Sequence, residues 1–148
     1  MSKATAADIL QFISSVSYPN SKAKHLQAMA AMLIDKFHGE VPDNMTDLTS
    51  LPGVGRKTAN VVMGTVFSKP TIAVDTHVFR VANRIGLAKG KTPLEVETTL
   101  TKNIPPELRY KAHHWLLLHG RYICKSQRPD CLNCPITQFC AHFSKLPK

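Results

Sequence analysis

With 148 residues, 43% hydrophobic and 20% charged, the chain suits one compact domain or two small ones sharing an interface, and wholesale disorder is excluded. No apolar run approaches the roughly eighteen residues of a membrane span, and Met1-Ser2-Lys3-Ala4-Thr5 leads into mixed polar sequence, so a soluble cytoplasmic protein with no membrane partner is expected. Nineteen Lys and Arg against ten Asp and Glu leave a formal +9, which points to a polyanion and above all to nucleic acid, while the few aromatics argue against a base-stacking single-strand platform.

The periodicity is helical almost throughout, which predicts an all-α fold. Residues 6–16 place Ile9, Leu10, Phe12, Ile13 and Val16 at helical spacing, and Tyr18-Pro19 ends the run. After Asn20-Ser21, Leu26, Met29, Ala30, Leu33, Ile34 and Phe37 mark an amphipathic helix with Gly39 as its expected C-terminal cap. A short helix over 43–51 is followed by the turn Pro52-Gly53-Val54-Gly55 and a further helix over 56–66. Ser68-Lys69-Pro70 breaks the chain, and the apolar connector Thr71-Ile72-Ala73-Val74 leads to Asp75, the expected N-cap of a helix through Arg84. Helices recur at 93–103 and 107–119, punctuated by prolines. Beyond Gly120 the chain is too rich in Cys, Pro and polar residues to bury a core of its own, so something other than packing must order it.

Three groups of residues carry chemical content. In Leu51-Pro52-Gly53-Val54-Gly55-Arg56-Lys57-Thr58 the glycines let the backbone approach a ligand, and the following helix aims amides and its positive end at the same place, a geometry suited to phosphate. A nucleotide P-loop is rejected because Arg56, not glycine, precedes Lys57; a plain interhelical turn is the alternative. Asp75 is a carboxylate at a helix start, where capping and electrostatic work can coexist. Cys124, Cys131, Cys134 and Cys140 follow a Cys-x6-Cys-x2-Cys-x5-Cys spacing, and four thiolates can hold either tetrahedral zinc or a [4Fe–4S] cluster. Arg121, Lys125 and Arg128 lie on or beside that loop, placed to meet DNA phosphates or simply to be solvated. His113, His114 and His119 are expected to be packed or capping groups.

The segment Leu51-Pro52-Gly53-Val54-Gly55-Arg56-Lys57-Thr58-Ala59-Asn60 resembles the helix-hairpin-helix of the endonuclease III DNA glycosylases. Val74-Asp75-Thr76-His77 and the run from His113 to Tyr122 are similar to further signatures of that family, and the likeness continues in order from about Asn20 to Cys140. The resemblance implies that Gly53, Val54, Gly55 and Arg56 hold a DNA phosphate, that Lys57 is the nucleophile, and that Asp75 is its catalytic carboxylate. Such a lysine must react as the neutral amine, and the positive helix end and Arg56 both disfavour the extra proton. The cysteine spacing is similar to the family's iron–sulfur loop, so a structural [4Fe–4S] cluster is implied, lowering the formal +9 to about +7.

The expected architecture is thus an incomplete helical-barrel domain over 1–70 carrying the hairpin, and a helical iron–sulfur domain over 71–148, with Lys57 and Asp75 facing each other across a cleft. The implied activity is removal of oxidised pyrimidines from double-stranded, nucleoid DNA, with cleavage of abasic sites by β-elimination through a lysine Schiff base. Members of the family usually carry several helices ahead of the position of Met1, one with a Leu-Ser-Ala-Gln type motif absent here. Weak base excision with persisting lyase chemistry is therefore expected, and a catalytically silent, metal-stabilised DNA-binding module is the alternative.

Overall fold

The computed structural model describes residues 3–146, among which the regular elements are all helical. Two compact units divide the chain, residues 1–59 and 60–148. The break at Pro70, expected from the sequence as the boundary, falls inside the second unit.

The first unit opens with α1 (Ala6–Ile13) and α2 (Pro19–Phe37), which pack along each other and bury Ile9 and Ala23. A capping box starts α1: Thr5 Oγ1 accepts from the Asp8 amide at 3.2 Å, and Asp8 Oδ2 accepts from the Thr5 amide at 2.8 Å. The Thr5 donors hold the Asp8 carboxyl below its ordinary pKa. The helix stops short of the expected Val16, whose amide turns back to the Ile13 carbonyl at 3.1 Å. Tyr18 is left-handed, with φ of 56°, and sets Pro19 at the first position of α2. At the other end the left-handed cap begins one residue earlier than expected, at His38 (φ 55°), with Gly39 (φ 84°) continuing it and donating to the Leu33 carbonyl at 2.8 Å. Next comes α3 (Met45–Ser50), capped by Asn44 Oδ1 on the Asp47 amide at 2.9 Å and anchored by buried Leu48 and Leu51. Phe12, Tyr18 and Ile34 remain exposed.

Helix α4 (Arg56–Thr65) begins in the first unit and ends in the second. The second unit is built around α5 (Thr76–Ile85), against which α6 (Pro93–Asn103) and α7 (Arg109–Tyr122) pack. Its core joins Val78, Val81 and Ala82 of α5 to Val96 and Leu100 of α6 and to Ala112 and Leu116 of α7. The connector 71–74 is part of that core, with Ile72, Ala73 and Val74 buried. Buried His113 anchors it, Nδ1 lying 2.8 Å from the Ala73 carbonyl, the packing role expected from the sequence. At Gly120 a Cβ would come within 2.9 Å of Val81 Cγ2, so the missing side chain lets α7 lie close on α5. A 3-10 turn, Pro106–Leu108, precedes α7, which continues to Tyr122. Beyond it, among the described residues, the regular elements are short 3-10 turns, Thr137–Phe139 and Phe143–Lys145. Among the described residues no helix is long and apolar enough to cross a membrane.

Candidate functional site

The glycine turn joins α3 to α4 in the first unit, closed by the Val54 amide on the Leu51 carbonyl at 3.0 Å. Its two glycines differ. Gly53 has φ of 79°, and a Cβ there would sit 2.9 Å from His25 Cβ, so both backbone and packing require glycine. Gly55 has no positive φ, and nothing lies within 4 Å of where its Cβ would be. Packing inside the chain therefore accounts for Gly53 but not for Gly55, whose bare face opens outward. The α4 ladder starts at the Gly55 carbonyl, which accepts from the Ala59 amide at 2.9 Å. A helix cannot satisfy its own first amides, so this end offers donors and a positive dipole to an anion approaching Gly55. Arg56 and Lys57 occupy that first turn and are exposed.

Asp75 lies in the second unit as the N-cap of α5, Oδ1 accepting from the Val78 amide at 2.8 Å. That bond uses one oxygen of a half-buried carboxylate and leaves Oδ2 for other chemistry. Capping, the plainer of the two roles expected, is thus present without displacing the other.

The four cysteines are half-buried thiols that line one cavity together with Ile85 and Ile123. Burial, and then the neighbouring Cys124, Cys140 and Cys134, push the Cys131 thiol above its ordinary pKa, while Arg84 opposes the rise. A cationic centre would oppose that rise and take the cysteines as thiolates. Tetrahedral zinc, with Zn–S near 2.3 Å, needs its sulfurs within about 4 Å of one another. Among the described residues no three His, Cys, Asp or Glu side chains converge closely enough to grip a single ion. The four cysteines on one cavity are a donor set that would suit a [4Fe–4S] cluster.

Elements outside the loop position it. From α5, Arg80 Nε donates to the Cys124 carbonyl at 3.1 Å and Nη2 to the Gly120 carbonyl at 2.7 Å, and Arg84 reaches the same segment. His119 of α7 lies with Nε2 3.7 Å from Cys134 Sγ, and burial lowers its pKa, favouring the neutral ring. Sequence reasoning assigned nothing to Arg80 and Arg84; their one-turn spacing on a core-facing helix was the available signal. Arg121, Lys125 and Arg128 are exposed, as phosphate contacts must be. Arg128 is left-handed, with φ of 49°, directly before Pro129, a costly conformation of the kind found at functional loops.

The sequence pattern of the HhH-GPD superfamily of base excision DNA repair proteins matches residues 1–106. Endonuclease III of Rickettsia conorii is 54% identical over 136 residues, covering 92% of this chain and 65% of that protein. Endonuclease III of Escherichia coli K12 is 47% identical over 135 residues, 91% of this chain and 64% of that protein. The chain thus spans just under two thirds of the length of these relatives. Among solved structures, a trapped endonuclease III–DNA covalent intermediate superposes with a TM-score of 0.90 at 46% identity, over 97% of this chain and 68% of that one. A thermostable thymine-DNA glycosylase gives 0.84 at 25% identity over the same shares.

Proposed function

Because the chain belongs to the HhH-GPD superfamily of base excision DNA repair proteins, we propose that it is a DNA glycosylase with abasic-site lyase activity, acting on oxidised pyrimidines in the double-stranded DNA of the nucleoid. The observation that carries this is Lys57, exposed on the first turn of α4 directly beyond the open face of Gly55. A backbone that receives a phosphate at Gly53, Val54, Gly55 and Arg56 delivers the adjoining sugar toward the next side chain.

In the reaction, the target nucleotide leaves the stack and the neutral Lys57 amine attacks C1′. The C–N bond to the base breaks, the base departs with a proton, and the sugar opens to a Schiff base on Nζ. Loss of the C2′ proton then expels the 3′ phosphate, cutting the strand, and water releases the lysine. Asp75 Oδ2 stabilises the positive charge that grows at C1′ and takes the amine proton, while Oδ1 stays fixed by the cap. Cys124, Cys131, Cys134 and Cys140 hold a [4Fe–4S] cluster that supplies a rigid cross-link for a loop without its own core. Arg121, Lys125 and Arg128, presented by that segment, contact phosphates.

Borohydride reduction on a duplex with one abasic site tests this. A covalent protein–DNA adduct that disappears in Lys57→Gln, with DNA affinity largely kept, is the expected result. No adduct from the cluster-loaded parent chain overturns the lyase assignment in favour of a binding module, and an adduct surviving in Lys57→Gln overturns the nucleophile.

A further inference from the structure

Arg84, in the last turn of α5, touches both ends of the cysteine loop. Its Nη1 donates to the Lys125 carbonyl at 2.6 Å and lies 3.5 Å from Cys124 Sγ, and its Nη2 donates to the Ser126 carbonyl at 3.0 Å. Its main-chain carbonyl accepts from the His142 amide at 2.9 Å and lies 3.8 Å from Cys140 Sγ. The first and fourth cysteines therefore meet the same residue, one through its side chain and the other through its backbone. Arg80 of the same helix bonds carbonyls of the α7 end and Cys124, and Arg84 adds a donor on sulfur. Among the described residues the acceptors of the Arg84 guanidinium are two carbonyls and a sulfur, and no carboxylate is among them to dilute its charge at the cysteines.

We infer that Arg84 is the positioning residue of the cysteine centre, fixing Cys124 relative to Cys140 and, by its N–H···S bond and its charge, setting the reduction potential of the cluster. This rests on the [4Fe–4S] reading above. Reduction makes a thiolate-bound cluster more negative, so a cation and a hydrogen-bond donor on sulfur favour the reduced form and raise the potential. The carbonyl bonds hold the loop, and losing them exposes the cluster to iron loss.

The parent chain, Arg84→Met and Arg84→Lys are compared by iron and acid-labile sulfide content, rate of iron release to a chelator, and midpoint potential by film voltammetry. Arg84→Met is expected to release iron about tenfold faster and to shift the potential downward. Arg84→Lys keeps a charge but cannot bridge three acceptors, so it recovers more of the potential than of the iron retention. If the parent carries iron and sulfide while Arg84→Met matches it in release rate and potential, the Arg84 assignment falls and the cluster reading stands. Zinc in the parent, without sulfide, overturns the cluster reading and the tuning with it. Should Arg84→Met fail to fold, Arg84→Lys decides alone, and parent-like values in both measurements overturn the assignment.

Discussion

At the residue scale, Gly53 and Gly55 look equivalent in the sequence and are not. Gly53 serves the fold, through its φ of 79° and its contact with His25, so Gly53→Ala is expected to cost at least about 1 kcal/mol in chemical denaturation. Gly55 faces open space, so Gly55→Ala should leave stability within about 0.5 kcal/mol. A methyl group there stands where a phosphate would approach, and losing one charge-assisted hydrogen bond is worth about 1.5–3 kcal/mol, or tenfold or more in affinity for duplex DNA. Unchanged binding by Gly55→Ala would remove the phosphate role from that face. The glycines themselves were legible from the sequence because only small residues allow such a turn; which glycine answers to which demand depended on His25, twenty-eight residues earlier in the chain. Arg80 and Arg84 escaped for a similar reason, since most of their partners lie 40 to 44 residues away and are backbone carbonyls, which carry no sequence signal.

At the scale of the element, α5 shows how one residue can satisfy two demands. Asparagine caps a helix about as well as aspartate, whereas alanine does not. Asp75→Asn is therefore expected to keep the melting behaviour of the parent while losing most turnover, and Asp75→Ala to lose about 1 kcal/mol of stability as well. Parent-like turnover in a well-folded Asp75→Asn would reduce Asp75 to a cap. The helices themselves followed from apolar spacing, most fully where a whole stripe is buried, as Val78, Val81 and Ala82 are on α5. Their ends were less legible. The left-handed cap of α2 at His38 and the extension of α7 to Tyr122 rest on backbone hydrogen bonds, the His38 and Ile123 amides donating to the Leu33 and His119 carbonyls, which carry no side-chain signal. The connector 71–74 read as a link between helices, yet its burial against three of them makes it core.

At the scale of the molecule, the formal +9 includes the exposed Arg121, Lys125 and Arg128, proposed above as phosphate contacts. Three such phosphate contacts contribute a slope of about −2.7 to log K against log salt for duplex DNA, and Arg128→Ala should flatten it by about 0.9. A slope indifferent to Arg128 would assign the charge to solvent. The bonds from Arg84 to the loop, reaching as far as 56 residues along the chain to Cys140, also set an order of events in the cell. At roughly 5–20 residues per second, a ribosome takes about 3–11 s to pass from Arg84 to the fourth cysteine. During that interval α5, α6 and α7 can settle on one another. Packing of α7 on α5 supplies Arg80 with the Gly120 carbonyl, whereas every acceptor of the Arg84 guanidinium named above lies beyond α7. Because the core joins apolar residues of α5, α6 and α7, scarcity of iron is expected to leave the α5 arginines facing an unfastened tail rather than an unfolded protein.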